Sequence, residues 1–186
     1  QDGAGWSASA TFFDYDRDGL LDLFVCGYVE WSPEADLDCG VSAGRPSYCT
    51  PTVYPGRASR LYRGQGLGVF ADVTNQAGVY RAEGKALGVV ALDYDQDGWP
   101  DLAVARDTEP DALLHSNGDG TFTEEGIVMG IAFDAQGKAT AGMGIDAADI
   151  HHDGSVSIAV GNFSNEATGL FTGSAAAYFR DEARSS

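Results

Sequence analysis

Nine residues, Asp14-Tyr15-Asp16-Arg17-Asp18-Gly19-Leu20-Leu21-Asp22, return from position 93 as Asp93-Tyr94-Asp95-Gln96-Asp97-Gly98-Trp99-Pro100-Asp101. Both copies obey D-x-D-x-D-G-x-x-D, and both sit between apolar, β-prone runs. Residues 11–28 read TFFDYDRDGLLDLFVCGY, and residues 90–107 read VALDYDQDGWPDLAVARD. A third stretch, DAADIHHDGSVSIAVGNF at 146–163, keeps the plan with fewer acids. A β-rich run, an acidic turn ending in Asp-Gly and a second β-rich run read as strand, loop, strand. Three such units in one chain point to a repeat architecture.

Each unit is followed by a second pattern. LYRGQGLGVFADVT (61–74), LLHSNGDGTFTE (113–124) and LFTGSAAAYFRD (170–181) each carry a short apolar pair, a turn of small residues and an aromatic before a polar run. That is a hairpin signal, clearest at Asn117-Gly118-Asp119-Gly120. One unit is therefore four antiparallel strands, the content of a propeller blade. The expected fold is all-β: three four-stranded antiparallel β-propeller blades in a partial or open propeller. They fall at about 6–75, 86–131 and 141–181. The runs Leu23–Val25 and Leu102–Val104 are apolar without alternation, as in strands covered on both faces. Residues 29–57 form a Pro/Gly-rich insertion between the second and third strands of the first blade. The only helical feature expected is a turn near Asn75-Gln76-Ala77.

The acidic loops carry the chemistry. Calcium takes six to eight oxygen ligands, and carboxylates at alternate positions of a tight loop converge on one point. Gly19 and Gly98 permit the sharp turn. Expected ligands are Asp14, Asp16, Asp18 and Asp22 in the first loop and Asp93, Asp95, Asp97 and Asp101 in the second. The backbone carbonyls of Leu20 and Trp99 stand at the seventh position. Two Ca2+ sites follow. Magnesium prefers a stricter octahedron, and zinc or copper would ask for His or Cys. An EF-hand is excluded, because position twelve is Val25 or Val104 in a strand-like run rather than a Glu before a helix. In the third loop only Asp149 and Asp153 remain, with His151 third and Ser157 ninth. That site is expected to be weak or lost, and His151-His152 to be exposed.

The formal charge is −17, from 28 acidic and 11 basic side chains. Such a balance argues against nucleic acid and anionic membrane surfaces as partners. No apolar run reaches the length of a membrane span. The chain starts at Gln1, which fits a mature product or an excerpt of a longer chain. Of three cysteines, Cys26 lies in an apolar run and reads as a buried free thiol. Cys39 and Cys49 flank a loop and are expected to be bridged, worth about 2–3 kcal/mol on the chain-entropy model. The rival readings are two free thiols or half of a metal site, which no CxxC or nearby histidine supports.

FFDYDRDGLLDLFV, the Cys39–Tyr54 stretch with Tyr48-Cys49-Thr50-Pro51, LYRGQGLGVFADVTNQAGV, HSNGDGTF and GNFSNEATGLF resemble FG-GAP/VCBS-type repeats, as in the integrin α-subunit propeller. The closest resemblance is to the bacterial ASPIC/UnbV type and the related cartilage acidic protein type. It implies calcium in the loop joining the first two strands of a blade, held by the eight aspartates named above. It also implies a secreted, surface or periplasmic location and contact with other protein chains. No catalytic residues are expected: His115, His151 and His152 match no triad or metal motif, and no nucleophile elbow or phosphate loop occurs. The alternative is a glycan-binding or glycan-active propeller using Trp31, Tyr48 and Tyr54, which are otherwise packing residues of the insertion.

Overall fold

The computed structural model describes residues 5–40, 47–81, 84–174 and 177–183. The middle of the insertion (41–46) and the turn of the third hairpin (175 and 176) lie outside the described residues. Among the described residues, twelve strands form three sheets of four. The first holds β1 (Ser7–Phe13), β2 (Asp22–Gly27), β3 (Arg60–Gly64) and β4 (Phe70–Asp72). The second holds β5 (Ala86–Leu92), β6 (Asp101–Arg106), β7 (Ala112–Ser116) and β8 (Phe122–Glu124). The third holds β9 (Gly142–Ala148), β10 (Ser157–Asn162), β11 (Gly169–Ser174) and β12 (Ala177–Asp181). Within each sheet sequence order is spatial order, and every pairing is antiparallel. The expected all-β blades are therefore present as an open, propeller-like stack.

Two cores lie between the sheets. Phe24 and Cys26 of the first sheet meet Leu102, Val104 and Leu114 of the second. Ala103, Ala105 and Leu113 on its other face meet Ile158, Val160, Phe171 and Phe179 of the third. Alternate residues of β6 thus face opposite neighbours, which explains its unbroken apolar run. The aligned strands repeat the rule. Phe24 takes the place of Ala103, toward the following blade, and Ile158 that of Leu102, toward the preceding one.

At both ends of the stack a face is left over. Leu23 and Val25 occupy the places of Leu102 and Val104, but the described residues put no blade against them. Phe12 is paired with Leu23 and is 59% exposed. Phe70 stands where Phe122 and Phe179 stand and is 39% exposed. Phe122 and Phe179 each pack on a loop tyrosine of the preceding blade, Tyr15 and Tyr94, at ring distances of 6.0 and 6.1 Å. Phe70 instead lies 6.4 Å from Phe12 of its own sheet.

The insertion is closed at its base by a bridge between Val29 and Gly56. Its described residues contain two 3-10 turns, Pro33–Ala35 and Pro51–Val53, and the Cys39–Cys49 disulfide, whose Cα atoms are 5.1 Å apart. Cys26 is free and buried. Ala77 N donates to Val73 O, the expected single turn after β4. A further one-turn helix, α1 (Gly126–Met129), was not anticipated. Gly130 ends it in the left-handed region at φ 87°. One turn is too short to show a helical period.

Candidate metal centres

All three acidic loops follow one backbone path. The fourth residue is left-handed each time: Arg17 (φ 59°), Gln96 (62°) and His152 (56°). The sixth is Gly19 (84°), Gly98 (87°) or Gly154 (89°), where glycine adopts the angle without strain. The first carboxylate ties the turn together. Asp14 accepts from Asp18 N at 3.1 Å and Gly19 N at 3.0 Å, and Asp93 from Gly98 N at 3.0 Å. Asp149 accepts from Asp153 N at 3.2 Å and Gly154 N at 2.9 Å. The fifth carboxylates, Asp18, Asp97 and Asp153, each accept from the N–H two residues on, of Leu20, Trp99 and Ser155, at 2.8 Å. The third loop keeps this path without the full set of acids, so the turn and its charge are separable.

The ninth residue works differently. Asp22 and Asp101 are fully buried at the start of β2 and β6. Asp22 accepts from Tyr15 N at 2.9 Å and Gly64 N at 2.8 Å. Asp101 accepts from Tyr94 N at 3.2 Å and Ser116 N at 2.8 Å. Each locks the loop to the third strand of its blade. Burial pushes the Asp22 carboxyl up and that of Asp101 to about 6, against the opposing pull of those N–H groups. In the third blade the position is Ser157, also buried.

Among the described residues, three groupings bring ligand atoms within 4.8 Å of one another: Asp14, Asp16 and Asp18; Asp93, Asp95 and Asp101; and Asp95, Asp97 and His115. Of the eight aspartates singled out in the sequence, seven join one of these groupings; Asp22 does not, its carboxylate being taken by Tyr15 N and Gly64 N. Leu20 and Trp99 stand at the seventh position, where their N–H groups donate to Asp18 and Asp97. Asp93 Oδ1 and His115 Nδ1 are buried without a hydrogen-bond partner. A carboxylate oxygen orphaned among other carboxylates is what an oxygen-seeking cation would satisfy, so the donor set fits calcium. None of the three groupings draws on Asp149, His151 or Asp153, and both adjacent histidines are exposed.

Sequence reasoning missed the side chains placed over the loops from the third strand. In LYRG, LLHS and LFTG the third letter is Arg63, His115 or Thr172. Arg63 Nε lies 2.7 Å from Asp16 Oδ2, and its Nη2 2.9 Å from Asp18 Oδ2. His115 Nδ1 lies 3.3 Å from Asp101 Oδ1 and 3.6 Å from Asp95 Oδ2. The Leu20 N–H first and Arg63 second hold the Asp18 carboxyl below its usual range. Aligning the three hairpins would have found these residues. The fourth loop residues were also missed as links between blades: the Arg17 guanidinium sits 5.1 Å over the Trp99 ring, and Gln96 Nε2 donates to Gly154 O at 2.6 Å.

Beside the insertion lies a cleft of about 840 Å³, lined by Trp6, Tyr28, Trp31, Tyr48 and Tyr54. Asp36 accepts from Trp31 Nε1 and Tyr54 Oη, both at 3.0 Å. Trp31 and Tyr54 are partly buried, as packing residues should be, but Tyr48 is 100% exposed. Tyr48 has no packing role, because it stands on the rim of the cleft rather than under it.

The family profile of the FG-GAP-like repeat matches residues 93–160, from the first aspartate of the second loop into β10. No curated protein matches the chain.

Proposed function

We propose that the chain is a non-catalytic, calcium-stabilised propeller module that works outside the cytoplasm by docking other protein chains. The FG-GAP-like match and the blade architecture support a propeller-type interaction module. The observation that carries the calcium reading is a three-carboxylate grouping in each loop, Asp14, Asp16 and Asp18 in the first and Asp93, Asp95 and Asp101 in the second, the latter with an orphaned buried oxygen at Asp93. The ligands would be the first, third, fifth and ninth aspartates of each loop, with the Leu20 and Trp99 carbonyls at the seventh position. The ion would neutralise like charges and bind the loop to its strands. The Cys39–Cys49 disulfide supports an oxidising compartment. Affinity to the ASPIC/UnbV and cartilage acidic protein type belongs to the same proposal, as do the blade limits 6–75, 86–131 and 141–181.

Protein contact is supported by the open faces. The face carrying Phe12, Leu23, Val25 and Phe70 is equivalent by repeat to faces that blades one and two cover in their neighbours. Another blade, from the same or a different chain, is its natural occupant. No described helix is long and apolar enough to cross a membrane. Equilibrium dialysis against radioactive calcium tests the metal reading. About two ions per chain are expected, with one lost in Asp97→Ala; a stoichiometry of zero would refute it.

A second reading, glycan binding, is favoured by the aromatic cleft. Flat Trp and Tyr faces with a carboxylate acceptor suit the C–H faces and hydroxyls of a sugar. Binding to a glycan array that disappears in Trp31→Ala would support it, and an array without signal would count against it.

A further inference from the structure

We propose that Arg63 is a built-in counter-cation of the first acidic loop, and that it makes this loop the weaker of two inequivalent divalent-cation sites. The inference rests on the calcium reading above and deepens it. Sequence presents the two loops as equals, since the ligand pattern is the same. The difference lies in the third strand, where β3 puts a guanidinium and β7 an imidazole at the same place in the blade.

Arg63 makes two short ion pairs, to the third and the fifth carboxylates of its loop. Those are groups a divalent ion must take. Its planar fork spans Asp16 and Asp18 as it would span any pair of acceptors, and it remains charged at every relevant pH. Asp14, Asp16 and Asp18 thus already share a positive charge. For calcium to enter with its full ligand set, the guanidinium must leave both carboxylates or stay as a like charge a few ångströms away, and either opposes binding. In the second loop the same place holds the His115 imidazole, whose Nδ1 lies 3.3 Å from Asp101 Oδ1 and 3.6 Å from Asp95 Oδ2, and among the described residues no guanidinium spans the third and fifth carboxylates. There the orphaned Asp93 Oδ1 and His115 Nδ1 face the carboxylates without a hydrogen bond. The second loop should fill first, and the first only at higher calcium.

Isothermal titration calorimetry of the whole chain tests this, with calcium chloride as the titrant. Wild type is expected to show two sites with unequal affinities. Arg63→Gln should tighten the weaker site about tenfold and leave the tighter one unchanged, because it removes a full charge near the ion. Arg63→Lys keeps the charge and should keep the site weak, which a merely structural role for Arg63 would not predict. Asp97→Ala should abolish the tighter site and assign it to the second loop. Two equal sites indifferent to Arg63→Gln would overturn the proposal and leave calcium binding standing. Absence of heat in both wild type and Arg63→Gln would overturn the calcium reading with it.

Discussion

Carboxylates of one motif divide into two jobs. The ninth aspartates are buried and accept two backbone N–H groups each, whereas Asp97 is exposed and serves the loop. Asp101→Ala would orphan Tyr94 N and Ser116 N, and is expected to destabilise by about 2–4 kcal/mol in urea melts, with or without calcium. Asp97→Ala should cost under about 1 kcal/mol in EDTA and show its larger effect only when calcium is present. Away from the loops, Asp111 is buried with Arg106 N donating to its Oδ1 at 2.7 Å. Burial pushes its carboxyl up to about 7. The folded state then binds a proton that the unfolded chain has released, so this group's contribution to stability is lost as pH rises from about 4 through 7. Asp111→Asn keeps an acceptor for Arg106 N without the charge. It should raise the melting temperature by about 3–6 °C at pH 8 and change little at pH 4; equal shifts at both would contradict the assignment.

The blade is the element of this molecule, and its two faces explain what sequence could tell. Strands were legible because the chemistry repeats: β6 is apolar throughout since both faces are covered, and Asn117–Gly120 can hardly be other than a turn. The acidic loops were legible because their spacing repeats, and the three copies do share one backbone path. Arg63 and His115 were not, since nothing in D-x-D-x-D-G-x-x-D says what a strand some forty residues on, in the first copy, will place above it. The disulfide followed from loop position, but the cleft beside it did not, because Trp6 and Tyr28 lie outside the insertion. Cys39→Ser is expected to lower stability by about 2–3 kcal/mol if the insertion unfolds with the blade, read in a urea melt against a reduced control. At the open face, Phe12→Lys should leave the fold intact and reduce concentration-dependent association in sedimentation, as an uncovered apolar sheet face invites contact. Unchanged association would move the docking surface elsewhere.

For the whole molecule, a charge of −17 sets the terms. Eight of its acids are gathered into two corners at one end of adjacent blades, and those corners are joined through Arg17 on Trp99. The third corner is tied on by Gln96. A divalent ion in each of the first two would relieve repulsion at the junction of all three sheets, so loop binding should reach the global stability. An ion held at one hundred times its dissociation constant adds about 2.7 kcal/mol per site. The most direct test is a thermal melt in 1 mM CaCl2 against one in excess EDTA, at fixed ionic strength. A rise of about 5 °C or more with calcium, reduced in Asp97→Ala, is the predicted result. Coincident melting curves would contradict the account.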